Sequence, residues 1–460
     1  MKFNLKTDNY KNFAVFSKNL MKPRSYFIPF NDKEELEKTD ILTERYSSSM
    51  VAVLNGEWKF KYYENCSQLP TEIDTENFDF DTVSVPSMWQ YTGYEKPCYI
   101  NQRYPFDVKP PHIPSDCPVG VYLKSFKLMD ISGNYTLTFL GVAGSLDVFV
   151  NGKFAGYSEG SHNTAEFEVS EFLKEGINEV VAVVHKWSNG TYIEAQDMFR
   201  SNGIFRDVLL TRTEDNSIYD FQIKTTFDRK KQNFSMIVFP SLKVTEDCVL
   251  TAELFDNGEL FSSKSVEVGK EKIETLDFED LEVKKWSAEN PYLYQLYLTL
   301  SIDGEIVEIV RKNVGFRHIE IKENIFYFND KRVKLLGVNH HDTTADKGYC
   351  MTGDEMKKDI EIIKEYIAKR KIDWTKHCLN RLNQRDILIS DVKTAVNNGK
   401  IIEYYYDDYP YPSCLILGYN INNKILHIVC GMSEDTVHMI TAYYPNTEKW
   451  EEDMKTRREK

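Results

Sequence analysis

The stretch HKWSNGTYIEAQDMFRSNGIFRDV, residues 185–208, sets Glu194 and Asp197 among Trp187, Tyr192 and Phe199. Carboxylates accept hydrogen bonds from hydroxyl groups, and aromatic rings offer flat apolar faces. A sugar presents both kinds of surface, so the combination suits a carbohydrate pocket. A polar loop between two strands accounts for the same residues. CYINQRYPFDVKPPHIP surrounds Asn101 with Tyr and Pro. Its prolines favour an extended, ordered loop. Such a loop serves a binding site or a plain connection. GVNHHDT ends an apolar run with His340 and His341. Neighbouring strand residues point to opposite faces, so only one of the two could enter a pocket.

A fourth constellation lies near the C-terminus. His377, Arg381 and Arg385 recur every four residues and would line one helix face. That face is basic and suits a phosphate. His427 falls on a later strand, and Tyr443 and Tyr444 on the last one. His and Tyr for proton transfer with Arg for the phosphate is the equipment of a metal-free ribonuclease. A solvated helix face beside ordinary strand aromatics is the alternative. The chain has no G-x-x-x-x-G-K-[ST], G-x-G-x-x-G or H-E-x-x-H motif, so nothing points to nucleotide hydrolysis or a dinucleotide cofactor. Its eight cysteines form no C-x-x-C pair, which signals neither a zinc site nor a disulfide framework.

These residues must be held by elements, and the elements change in kind along the chain. Residues 1–215 read as short strands with glycine turns, including the Asn151-Gly152 pair of a tight hairpin. This pattern predicts a jelly-roll or sandwich domain. Residues 216–318 bring closely and regularly spaced strands, as in an immunoglobulin-like sandwich. Residues 319–368 hold a hairpin, an apolar strand and one amphipathic helix. Thr352 or Asp354 can cap that helix, and Met356, Ile360, Ile363 and Ile367 share one face. This is a single βα unit, whereas a barrel needs eight. Residues 369–460 give two helices, the second closed by Gly399, and then four strands. The order ααββββ predicts a small α+β domain.

Charge supports the last boundary. From Lys369 onward there are 14 Lys and Arg against 13 Asp and Glu; before it there are 43 against 58. The net charge of -14 argues against nucleic acid as a partner of the whole chain. MKFNLKTDNYKNFAVF lacks the apolar core of a signal peptide, and no run reaches the ~20 apolar residues that span a bilayer. A cytoplasmic protein without a membrane partner is expected.

Residues 1 to about 365 resemble glycoside hydrolase family 2 in its bacterial β-galactosidase branch. LNGEWKFKYYEN, VPSMWQYTGYEKPCYIN, FVNGKFAGYSEGSHNTAEFEVS, WSNGTYIEAQDMFRSNGIFRDVLL, WSAENPYLYQLYLTL, VGFRHIEI and VKLLGVNHHD follow in the family's order. The resemblance implies carbohydrate metabolism, with a β-galactoside as ligand. It implies that Asp197 binds galactosyl hydroxyls together with a sodium ion, and that Asn101 and His341 line the same pocket. His340 stands where the family usually has Arg. Retaining hydrolysis needs two carboxyls about 5–5.5 Å apart. The family carries both as Glu on later barrel strands, but here its pattern stops near Glu365. No catalytic residue is therefore expected, nor the family's magnesium site. A homo-oligomer or a complementing barrel fragment would be the partner.

Residues from about 372 to 455 resemble a small bacterial family without assigned function. The matching stretches are WTKHCLNRLNQRDI, IIEYYYDDYPYPSCLILGY, ILHIVCG and ITAYYPNTEKW. Its members look similar to RelE-like ribonuclease toxins. This resemblance implies site roles for His377, Arg381, Arg385 and His427, and an antitoxin-like partner. The chain thus reads as a fusion of a β-galactosidase front with an α+β tail.

Overall fold

INEVVAVVHKW reads as a continuous apolar run rather than an alternating one, and the computed structural model shows why. In the strand Gly176–His185, Val180, Ala182 and Val184 face one core while Val181 and Val183 face another. A strand covered on both sides has no polar face to show. It pairs antiparallel with Val119–Leu128 along ten residues, from Gly176↔Leu128 to His185↔Val119. The structure describes all residues except 100–103, 195–197, 271–273, 336–339, 370–371, 406–407, 409–412, 433–435 and 459–460.

The chain divides into two compact units, Met1–Met351 and Thr352–Lys460. In the first, a seven-stranded sheet runs in the order Ser17–Lys18, Lys153–Ser158, Ser145–Val150, Gly176–His185, Val119–Leu128, Gly56–Tyr63, Asp81–Val85. A four-stranded sheet, Ala165–Glu168, Asn134–Phe139, Val208–Thr213 and Val51–Val53, shares a core with it. Trp58, Phe60 and Val148 from the first sheet meet Leu137, Phe139 and Phe167 from the second. Phe3, Leu5 and Ile73 close the outer face of the larger sheet. The Asn151-Gly152 turn forms as its chemistry requires, with φ of 50° and 84°.

An immunoglobulin-like sandwich follows. Ser217–Asp228, Asn233–Lys243 and Leu276–Leu281 make one sheet. Glu259–Val268, Cys248–Asp256, Tyr294–Ile302 and Glu305–Val314 make the other. Both feed one core that includes Phe234, Met236, Leu250, Leu298 and Phe316. A small meander, Ile319–Lys322, Ile325–Phe328 and Lys331–Arg332, comes next. Of the expected first barrel strand, VKLLGVNHHD, residues 336–339 lie outside the described residues, and residues 333–335 form no strand. The Val333 N–H bonds back to the Phe326 carbonyl at 3.0 Å, and Leu335 is 77% exposed. A parallel barrel strand is held by neighbours on both edges, and none is present among the described residues.

The second unit opens with the helix Gly353–Lys369. Thr352 is the residue that caps it. Its hydroxyl accepts the Glu355 N–H at 3.3 Å, while the Glu355 carboxylate accepts the Thr352 N–H at 2.8 Å. Met356, Ile360 and Ile362 on this helix are exposed. Two helices, Lys376–Gln384 and Ile389–Asn398, precede the four strands. The observed order has one strand more than expected, because Ile372–Trp374 pairs parallel with Val437–Tyr443. The five-stranded order is Ile372–Trp374, Val437–Tyr443, Ile425–Met432, Ser413–Tyr419, Lys400–Tyr405. Cys378, Leu382, Val392, Leu426, Ile428 and Met439 build its core.

Candidate functional site

The two loops singled out in the first unit are zipped together. Cys98–Tyr99 pairs antiparallel with Phe199–Arg200, in the register Tyr99↔Phe199 and Cys98↔Arg200. Asn101 and Asp197 themselves lie outside the described residues. Tyr99 precedes Asn101 by two residues and Phe199 follows Asp197 by two, so the pairing joins the chain segments that carry them. The Tyr99 and Phe199 rings sit 5.2 Å apart, and both are exposed.

The other aromatics of these loops are not free faces. Trp187 is buried and meets Phe106 at 5.0 Å. Tyr192 packs against Tyr104 at 5.4 Å, and its hydroxyl donates to the His112 carbonyl at 2.7 Å. They pin the long proline-rich loop to the segment that leads to Asp197. Of the three rings that sequence pattern suggested, Phe199 alone is presented to solvent.

Glu194 is likewise committed. Its carboxylate accepts the Ser161 N–H at 2.8 Å and the Ser161 hydroxyl at 2.7 Å. Glu159, beside it, accepts the Tyr157 hydroxyl at 2.6 Å, Asn189 Nδ2 at 2.9 Å and the Gly190 N–H at 2.9 Å. Burial raises its pKa in spite of these donors. Glu95 accepts Trp89 Nε1 at 2.9 Å and Gln90 Nε2 at 2.8 Å, and pairs with Lys186. Gln90 and Asn202 bond each other twice. Pattern reading missed Glu95 and Lys186, since nothing local links residues so far apart in the chain.

His341 is exposed, and His340 Nδ1 lies 3.3 Å from Asp342. The segment that follows returns to the jelly roll. Tyr349 packs on Phe205 at 5.8 Å and His162 at 5.6 Å. Burial, the largest influence, lowers the His162 pKa. One further group has metal-ligand types: His318, Glu320 and Asp330 converge within 4.8 Å. A cation is already there, because the Arg229 guanidinium pairs with Glu320 and reaches Asp330 at 2.9 Å.

In the second unit the four candidates fall into two pairs. His377 and Arg381 are exposed on the helix Lys376–Gln384. Arg385 is the C-cap of that helix and turns to the sheet, donating to the Ala442 carbonyl at 2.6 Å and Thr441 Oγ1 at 3.2 Å. His427 is buried. Its Nε2 lies 2.8 Å from the Met454 carbonyl and its Nδ1 3.3 Å from the Tyr443 hydroxyl, so Nε2 carries the proton. Burial lowers its pKa. Arg385 and His427 thus meet at Tyr443, whose ring centroid lies 5.8 Å from the Arg385 guanidinium and 5.3 Å from the His427 ring. Among the described residues, no helix is long and apolar enough to cross a membrane.

Comparison with known proteins bears out the fold class. Residues 51–214 match "Glycosyl hydrolases family 2, sugar binding domain", residues 216–317 "Glycosyl hydrolases family 2", and residues 319–370 its "TIM barrel domain". Residues 374–444 match a domain of unknown function, DUF4258. A β-galactosidase of Staphylococcus xylosus is 34% identical over 365 residues, which are 78% of this chain and 35% of that protein. One from Actinobacillus pleuropneumoniae is 35% identical over 349 residues, 76% of this chain and 33% of that protein. The chain thus spans about a third of the length of these relatives. Among solved structures, a putative β-galactosidase from Bacteroides fragilis superposes with a TM-score of 0.57 at 22% identity, over 68% of this chain and 48% of that one. A β-glucuronidase from Ruminococcus gnavus gives 0.52 at 18%, over 71% and 55%. These two likenesses speak for the fold. With its sugar-binding, middle and partial barrel domains in succession, the chain belongs to glycoside hydrolase family 2, and a domain of another kind follows from residue 374.

Proposed function

We propose that the family 2 part binds a β-galactoside through Asn101, Asp197 and His341, and that this chain does not cleave it unaided. The observation that carries the binding is the Tyr99–Phe199 pairing, which ties the segments of Asn101 and Asp197 together under an exposed aromatic pair. Glu194 is taken up by Ser161, which leaves Asp197 as the carboxylate of that segment for hydroxyls. A carboxylate oxygen is a hard ligand and suits a sodium ion. The lack of cleavage rests on the chain's internal change of domain. The barrel match ends at residue 370 and another domain starts at 374, before the family's later strands with the two Glu that retention requires.

Titration calorimetry with a non-hydrolysable thiogalactoside tests this. Binding is expected in sodium buffer, with a loss of about tenfold or more in Asp197→Ala, the scale of a hydrogen bond to a charged group. A chromogenic β-galactoside should stay intact with this chain alone. Turnover by the purified chain that disappears in Asp197→Ala would defeat the non-cleaving part. The exposed Met356, Ile360 and Ile362 support a homo-oligomer or a complementing barrel fragment as partner. Hydrolysis restored by mixing with a front-deleted relative would identify the fragment.

A second reading assigns a RelE-like ribonuclease activity, with an antitoxin-like partner, to residues 369–460. It is favoured by His377 and Arg381, which stand exposed one turn apart on one helix. It expects RNA cleavage that His377→Ala reduces by on the order of 100-fold, the weight of one general acid or base. RNA that survives the wild-type chain intact rejects it.

A further inference from the structure

The jelly roll carries a thiol pair outside the candidate sugar site. The Cys66 N–H donates to the Cys117 carbonyl at 2.8 Å, which sets the two backbones side by side. Both side chains belong to one apolar cluster with Tyr10 and Trp187. Cys66 is half-buried and lines an open cleft of about 670 Å³, together with Tyr10, Lys11 and His112. Cys117 is fully buried behind it and does not line the cleft. The Tyr10 hydroxyl lies 3.2 Å from Cys66 Sγ. Tyr10 is itself fixed by stacking on the buried His185 ring, at 4.0 Å and 7° between planes.

Charge and hydrogen bonding then divide the work between the sulfurs. The neighbouring Cys117 thiol, helped by Tyr10 and Lys11, outweighs burial and brings the Cys66 thiol down to about 6, while the Cys117 thiol is itself held toward the Trp187 and Pro118 carbonyls, at 3.6 and 3.7 Å. Burial pushes Cys117 up, so it keeps its proton. One sulfur is accessible and thiolate-prone; the other is sheltered, protonated and adjacent.

We propose that Cys66 and Cys117 are a peroxide-reactive pair, in which a hydroperoxide entering the cleft oxidises Cys66 and Cys117 resolves the product as a disulfide. The Cys66 thiolate attacks one peroxide oxygen, the O–O bond breaks, and the leaving alkoxide or hydroxide takes a proton from water. Cys66 is then a sulfenic acid. The Cys117 sulfur attacks the Cys66 sulfur, the S–O bond breaks, and the departing hydroxide leaves as water with the Cys117 proton. Two thiols have lost two electrons, and the hydroperoxide has become water and an alcohol, or two waters if it was hydrogen peroxide.

The molecule contains its own control. Cys414 and Cys430 face each other across the strands Ser413–Tyr419 and Ile425–Met432 with sulfurs 3.7 Å apart. Both are buried, and burial holds Cys430 up at about 12. Proximity alone would favour oxidation of this pair. The test treats the reduced full chain with one equivalent of hydrogen peroxide at neutral pH, blocks free thiols with N-ethylmaleimide, and maps the peptides by mass spectrometry. The Cys66–Cys117 crosslink is expected first, while Cys414 and Cys430 are recovered alkylated. In Cys117→Ser the crosslink vanishes and dimedone captures a sulfenic acid on Cys66. Tyr10→Phe keeps both thiols and should slow Cys66 alkylation by iodoacetamide severalfold, which still reads out if a cysteine variant misfolds. Recovery of Cys66 unoxidised, or oxidation of both pairs at the same rate, overturns the proposal.

Discussion

Glu308 stands in the strand Glu305–Val314 with 1% of its surface exposed. Removing a carboxylate from water costs more than removing the neutral acid, so burial lifts its pKa from 4.5 to about 8. The folded chain thus holds this proton where the unfolded chain has released it. Between those two values the native state binds more protons, and stability must fall as pH rises. Glu308→Gln removes the titrating group and keeps the shape. The variant should show a flatter pH dependence of melting temperature and melt several degrees higher than the wild type at pH 8. Equal pH profiles for the two proteins would show that the acid is not carried by the native state. No sequence pattern marked this residue, because EIVEIVRKNV offers no sign of which Glu turns inward. The same holds at the candidate site: Glu194 was legible as a carboxylate, but its bonds to Ser161 were not.

Turns were legible at the scale of elements, because their chemistry is local. Asn151-Gly152 needs positive φ at both positions, and only a short list of residues accepts that. A Cβ on Gly152 would also meet the Lys2 carbonyl oxygen at 2.7 Å. Gly152→Ala should therefore cost about 1–2 kcal/mol, read as a lower urea midpoint at unchanged slope. Pairings between distant segments were not legible. Ile372–Trp374 is three residues long and joins the sheet only through Val437–Tyr443, much later in the chain. The helix cap at Thr352 was open between two residues, and the Glu355 carboxylate reaching back decided it. Arg385 shares its spacing with His377 and Arg381, yet it lies past the last helical turn and is drawn to the sheet by the Ala442 carbonyl.

At the scale of the molecule, the jelly-roll and immunoglobulin-like cores belong to Met1–Met351, and a separate core lies within Thr352–Lys460. Cores that share no residues can unfold separately. Scanning calorimetry should resolve at least two transitions, and Leu426→Ala in the tail core should lower one of them alone, by the ~2–5 kcal/mol of a buried cavity. A single transition that moves as a whole would show the units to be coupled. By itself, the amino-acid sequence determined the domain succession, the hairpin turns and the family, for these rest on local backbone preference and on motifs in fixed order. Tertiary structure decided which polar groups are spent on holding the frame and which stay available. That outcome depends on burial and on partners brought close only by folding, as with Lys186 on Glu95, Met454 on His427 and Cys117 behind Cys66.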